Sequence, residues 1–557
     1  MNKAASPEAK LMRARFLKIA TGLSGGFLAL FFSWFVPPDW EPGDARLVVE
    51  WSAENSAGAD VSALGSTNVE IGSGQARITE LTPERVEFCL IPTATSPLPP
   101  QATLELPGGH TQVLPVTGPD EDGCFISGIR PLRGGRYALA LLVLVAVFLT
   151  LEVIPLHWTA LAVPVFASIA GLGSSKELLA PFFHPVIALF FAGFLLAAAM
   201  ARTGLDRAIA VRVVKLVGHS AGRLYIAMIL LAAFLSMWMS NTASMAAMLP
   251  VLMAVTEPSG DKRFRRCMIL ATAYAASIGG IGSAIGTPAN PLAMAYLSEF
   301  DDHVIGFAGW FRFGLPMVVL LLPAMAATVW FRYGGNVDPA RFKEGLESIT
   351  RERRSLDRSQ WIVLAIFGAM VAGWLSEIMH GQPAAIVGLA GVIALGTTGQ
   401  IGRTELRSIS WDALLVFGGG LCLGDVLVAS GASDWVATQL AFLGAAPPSV
   451  GIAAVATLTL VLSAVASNTA SAATILPLAI PLATVIGVPP ATLVVVIAIA
   501  SSIDFALVVG TPPTMIAYST GLFTVREIFT TGVVVDLIGL ILLIAVMPLV
   551  WSLIGAV

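Results

Sequence analysis

Two short polar stretches carry the chemistry that this sequence offers. Ser240, Asn241 and Thr242 interrupt one apolar run, and Ser467, Asn468 and Thr469 interrupt another. The eleven residues from Ser240 to Pro250 and from Ser467 to Pro477 agree at eight positions, more than a shared apolar composition gives. A second matched pair follows. The stretch from Gly286 to Asn290 begins 46 residues after the first tip, and the stretch from Gly510 to Thr514 begins 43 residues after the second. Ser and Asn are good N-caps, so each Ser-Asn-Thr tip reads as the start of a half-helix. In each Gly-Thr-Pro segment glycine permits an unwound turn, threonine can cap, and proline suits the first helical position. Four half-helix N-termini, with unsatisfied N–H groups and partial positive charge, would form an anion site that needs no buried Lys or Arg. Indeed, no Lys or Arg lies between Arg223 and Lys262 or between Arg407 and Arg526. Oxygens of Ser, Asn, Thr and unwound carbonyls could also hold a hard monovalent cation such as sodium. Small polar residues that merely ease helix packing would not account for two near-identical copies, each followed by the same break.

The elements that must position these residues are membrane helices. Of 557 residues, 56% are hydrophobic and 12% charged. A soluble domain carries about 25% charged residues, so an ordinary soluble enzyme is excluded. A net charge of −4 argues against a nucleic-acid partner. The four cysteines and six histidines fall into no CxxC or metal-ligand spacing. Spans are predicted over 137–153, 156–173, 182–201, 267–299, 310–332, 360–380, 384–400, 411–430, 490–521 and 528–556. The stretches 224–256 and 448–488 are too long for one helix and too short for two full spans, and each is broken by a Ser-Asn-Thr tip. Re-entrant hairpins are the economical reading. With the N-terminus in the cytoplasm, this topology puts 24 of the 32 Lys and Arg residues on the cytoplasmic side, in keeping with the positive-inside rule. The first hairpin then enters from the cytoplasm and the second from outside. That is an inverted repeat, the architecture of a secondary transporter.

The chain before the bundle reads as two further parts. Residues 1–36 hold a basic N-terminus and an apolar run from Phe16 to Val36, expected to be a retained transmembrane helix rather than a cleaved signal peptide. Residues 37–135 alternate short β-type segments with Gly, Pro, Asn and Asp turns, and are acidic. A small extracytoplasmic β-rich domain, by strand spacing a sandwich, is expected there. Cys89 and Cys124 both fall on its predicted strands. A disulfide between them is chemically allowed outside the cytoplasm, with two buried thiols as the alternative. The remaining units are a first transport repeat with scaffold helices (136–332), a cytoplasmic linker (333–359) and a second repeat (360–557). The whole is expected to be an all-α, multi-pass protein of the plasma membrane, with two re-entrant hairpins, two broken helices and its C-terminus outside.

The paired Ser-Asn-Thr tips and paired Thr-Pro breaks resemble those of the divalent anion:sodium symporter family, the solute carrier family 13 transporters and their bacterial relatives. The resemblance covers about 137–557 and the first helix, with 38–135 as an insertion. It implies a homodimer that works as an elevator and carries succinate-like dicarboxylates, citrate or sulfate with sodium. It also implies one sodium site at Ser240, Asn241 and the carbonyls of Ser236 and Gly286, and a second at Asn468 with oxygens of Ser463, Ala466 and Gly510. Substrate would touch Asn241, Thr242, Thr287, Asn468, Thr469 and Thr511.

Two features depart from the family. Its second break usually ends in Pro-Pro-Asn, where this chain has Thr514, and Asp504 is the one ionisable carboxylate between Asp434 and Glu527. A carboxylate inside an apolar segment is a candidate proton carrier, so a proton-coupled carrier or an exchanger using Asp504 stands as an alternative. Glu152 and Asp425 read as helix-end or packing residues, and Asp206–Gly218 as an interfacial helix. A membrane sensor would need a cytoplasmic output domain, for which 333–359 is too short. No Ser/His/Asp or metal grouping supports an enzyme, and no cofactor beyond the coupling ion is expected.

Overall fold

The structure is a computed structural model. It describes residues 135–217, 220–258, 260–300, 305–335 and 355–556, together with nine strands between Arg46 and Ser127. The expected first helix lies outside the described residues, as does most of the linker. The strands pair antiparallel in two sheets. One has the spatial order Ala59–Asp60, Arg46–Glu50, Gln101–Leu106, His110–Leu114, and the other Asn68–Ile71, Gly74–Thr82, Arg85–Ile91, Cys124–Ser127, Val116–Thr117. The register places Cys89 directly opposite Cys124.

From Gly135 the described chain is helical. Its longer helices are α1 (Gly135–Leu151), α2 (Leu156–Ile169), α3 (Pro185–Thr203), α4 (Leu205–Val217), α5 (Ala221–Ser236), α6 (Asn241–Thr256), α7 (Lys262–Ile281), α8 (Ala289–Phe300) and α9 (Phe307–Tyr333). They continue with α10 (Arg358–Leu375), α11 (Ala384–Thr397), α12 (Trp411–Ala429), α13 (Pro448–Val465), α14 (Asn468–Ile475), α15 (Ala479–Ile486), α16 (Pro490–Ala500), α17 (Pro512–Ser519) and α18 (Val525–Ile541). Among the described residues seven helical segments are long and apolar enough to cross a membrane. Both long apolar stretches break where the polar tips stand, giving α5–α6 and α13–α14. Both Gly-Thr-Pro segments also interrupt a helix, giving α7–α8 and α16–α17.

Burial shows which elements form the centre. Every residue of α7 from Cys267 to Ile281 is buried, and so is every residue of α16 from Ala491 to Ala500. A helix that is apolar all round belongs in the middle of a bundle. The two units match: α5 packs on α7, and α13 packs on α16. Beyond each central helix the chain unwinds, and its carbonyls need donors that the helix no longer supplies. Trp310 Nε1 donates to Ile281 O at 2.9 Å, and Tyr274 Oη donates to Phe505 O at 3.2 Å. Counted back from Gly286 and Gly510, Ile281 and Phe505 hold the same position, so each break is tied by an aromatic donor at an equivalent carbonyl.

Candidate functional site

Both tips and both breaks border one cavity of about 550 Å³. Ser240, Asn241, Thr242 and Ala243 line it from the start of α6, and Ser467, Asn468 and Thr469 from the start of α14. Gly286, Thr287, Pro288, Gly510 and Pro512 come from the breaks. Each tip folds this way because its serine caps the helix that follows. Ser240 Oγ accepts from the Ala243 N–H and Ser467 Oγ from the Ala470 N–H, both at 3.2 Å. Two helix starts in one wall present backbone N–H groups and the positive ends of two helix dipoles. Among the described residues no Lys or Arg lines the cavity, and the charged one that does is Asp412, whose Oδ1 is 2.6 Å from His157 Nδ1.

Behind the wall lie oxygens. One end of the Asn241 carboxamide is 2.6 Å from Ser236 Oγ and 3.2 Å from the carbonyl oxygens of Ala276 and Gly286. With nitrogen at that end, the amide donates to all three. With its oxygen there, four oxygens face one another, the surroundings that a hard cation requires. The second tip repeats the pattern: Ser463 Oγ lies 3.4 Å from Asn468 Oδ1, again five residues earlier in the chain, and donates to Ser501 O at 2.5 Å. Ser236 and Ser463 are fully buried. Among the described residues no group of three His, Cys, Asp or Glu side chains could hold a metal ion. At the first tip the oxygens that face one another are all neutral.

The other expected site residues are placed as follows. Thr511 stands at the N-cap of α17 but makes no capping bond. Its hydroxyl pairs instead with that of Thr514 at 2.8 Å, and it does not line the cavity. Thr287 does line the cavity, yet its hydroxyl meets Ser502 Oγ at 3.4 Å rather than a backbone N–H. Gly286 and Gly510 are not left-handed, so a positive φ is not the reason for glycine. The reason is room: a Cβ on Gly286 would lie 2.8 Å from Ser236 O, and one on Gly510 would lie 2.9 Å from Asp504 Oδ2. Ser236, Ser463 and Ala466 sit behind the wall, and Asp504 does as well.

The breaks explain the Asn290/Thr514 difference. Asn290 Nδ2 donates to the carbonyls of Gly280, Ile281 and Ser283 at 3.0, 3.3 and 2.7 Å, stapling the unwound segment to α8. Thr514 is too short for that. In the second unit Asp536 of α18 holds the segment from outside, accepting from the N–H groups of Phe505 at 2.7 Å and Ala506 at 3.0 Å.

The rest of the wall was not singled out from sequence. Phe190, Phe194, Ala197, Ala198 and Ala201 present one face of α3, and Ser408, Ser410 and Asp412 come from the segment entering α12. The i, i+4 and i, i+7 spacing on α3 was available as a signal, but it is equally the signal of ordinary core packing.

Comparison with known proteins fits this geometry. A family profile described as citrate transporter matches residues 146–500, well over half of the chain. The chain belongs to the citrate transporter family. An uncharacterized transporter of Haemophilus influenzae is 34% identical over 431 residues, covering 74% of this chain and 91% of that one. The sodium-dependent dicarboxylate transporter SdcS of Staphylococcus saprophyticus is 28% identical over 447 residues, covering 74% of this chain and 85% of that one. The solved Alcanivorax borkumensis YdaH transporter aligns at a TM-score of 0.47 and 15% identity over 68% of this chain and 88% of its own, too weak a likeness to bear on the fold. The resemblance to the divalent anion:sodium symporters is therefore borne out at the level of family. This citrate transporter family member is a multi-pass membrane transporter and not an enzyme.

Proposed function

We propose that this citrate transporter family member carries small divalent anions, dicarboxylates foremost, together with sodium. The observation that carries the reading is the cavity shared by two capped helix starts and two broken helices, with no Lys or Arg among the described residues that line it, and backed by clustered oxygens. An anion would rest on the N–H groups and hydroxyls of Asn241, Thr242, Thr287, Asn468 and Thr469, while the oxygens behind Asn241 and Asn468 hold the cations. The cations lie beside the anion, so each binding event favours the other, which is the thermodynamic content of coupling. The sodium dependence named for the staphylococcal relative supports this assignment. We read the two units as an inverted repeat that moves as an elevator within a homodimer of the plasma membrane. In this reading the N-terminus is cytoplasmic, and the 37–135 segment and the C-terminus are outside.

Uptake into proteoliposomes tests it. Labelled succinate, citrate and sulfate are offered with an inward sodium gradient, with potassium in its place, or with a proton gradient. Accumulation of a dicarboxylate only with sodium is the expected result. Uptake indifferent to sodium and driven by the proton gradient would replace this reading with proton coupling.

The topology carries its own prediction. With Cys89 opposite Cys124 in register, and outside the cytoplasm, the pair is expected to be oxidised. Maleimide labelling of the unreduced, denatured protein should therefore modify Cys267 and Cys422 only. Four labelled thiols without reductant would reject the bridge.

A further inference from the structure

The two units differ at one position that the cation sites share. Gly286 and Gly510 mark the same point of the two breaks, and six residues earlier the first unit has Gly280 where the second has Asp504. In the first unit a Cβ at Gly280 would run into Asn241 Oδ1 and come within 3.1 Å of Gly286 O, so the missing side chain is what lets the carboxamide settle there. In the second unit that place is taken by a carboxylate. Asp504 Oδ2 lies 3.4 Å from Ser463 Oγ, the hydroxyl that also faces Asn468 Oδ1 at 3.4 Å, and it stands against Gly510.

We infer that Asp504 is a charged ligand of the second cation site, so that the two sites are unequal: one built of neutral oxygens, the other carrying a formal negative charge. The inference rests on the sodium reading given above. Three observations carry it. Asp504 is fully buried, and its Oδ1 has no hydrogen-bond partner. No Lys or Arg is buried among the described residues, so no side-chain cation neutralises it there. The neighbouring carboxylate, Asp536, takes the N–H groups of Phe505 and Ala506 on its two oxygens, whereas Asp504 has the Ser463 hydroxyl at 3.4 Å on Oδ2 and leaves Oδ1 without a partner. A bare carboxylate in such surroundings is strongly unfavourable, so either a proton or a cation must neutralise it, and what surrounds it favours the cation. The oxygens of Ser463, Asn468 and Ser501 gathered beside it are the right partners for a hard cation. The same charge should raise the affinity of the second site above that of the first.

The purified full-length protein without substrate provides the test. Its thermal unfolding midpoint is followed as sodium chloride replaces choline chloride at constant ionic strength. The wild type should be stabilised in two phases, a tight one and a weak one. Asp504→Asn should lose the tight phase or move its midpoint at least tenfold higher, with the weak phase unchanged. Asp504→Glu, which keeps the charge, should retain it, and Asn241→Ala should remove the weak phase alone. If Asp504→Asn does not purify as monodisperse protein, Ser463→Ala, which leaves the carboxylate in place, should shift the tight phase only. A normal two-phase response in Asp504→Asn, or a shift of the weak phase in Ser463→Ala, would overturn the role of Asp504 and leave sodium coupling standing. A wild type that sodium does not stabilise at all would overturn sodium coupling itself, and the role of Asp504 with it.

Discussion

Alanine at Asn241 or at Asn468 is expected to lower sodium-driven uptake by on the order of a hundredfold, matching the loss of a contact to a charged group worth about 3 kcal/mol. Each asparagine is the first residue of its helix and only half-buried, and the serine before it supplies the cap. Folding should therefore survive the change. The side chain has two neighbours to lose, since it lines the cavity and also meets a buried serine hydroxyl, Ser236 or Ser463. Removing it takes an oxygen from the cation site and a polar group from the anion site together. Uptake at saturating sodium separates the two losses. If sodium restores the rate, the cation contact dominates; if it does not, the anion contact does. Near-normal uptake in either variant, with normal protein in the membrane, would show that the site is elsewhere.

The sequence made the tips and breaks legible because their signal is local. A capping serine, a polar tripeptide inside an apolar run and a proline after a glycine each act within a few residues, so the helix boundaries follow from them. The expected stretches 224–256 and 448–488 divide in the structure at Ser240 and Ser467. What could not be read was which partner would satisfy each polar group once the chain folds. Thr511 has the residue type and position of a cap, but whether it turns to the cavity or to Thr514 depends on a side chain one turn away. The contribution of α3 and of Ser408–Asp412 to the wall is a tertiary fact, fixed by α3 packing on α12. The donors that hold the breaks, Trp310 and Tyr274, are separated from their acceptors by 29 and 231 residues respectively, and no periodicity announces them.

Asp536→Ala should be strongly destabilising. Asp536 stands in the middle of α18, an apolar helix, where sequence alone gives it no role. Its two carboxylate oxygens take the N–H groups of Phe505 and Ala506, the first residues after Asp504 in the unwound segment. Both N–H groups are buried with their residues. Alanine would leave both without an acceptor, at about 1–3 kcal/mol for each. For a chain of this length the expected fall in the unfolding midpoint is about 2–5 °C. Asp536→Asn keeps one acceptor oxygen and turns an amide nitrogen toward the other donor, so it should lie between alanine and wild type. Position as well as stability is at stake, because the segment that Asp536 holds carries Asp504. Sodium stabilisation of the alanine variant should therefore weaken at the second site, while the first, stapled by Asn290, responds as before. An alanine variant as stable as wild type would mean that Phe505 and Ala506 find other acceptors. An equal loss at both cation sites would mean that the two breaks are not held independently.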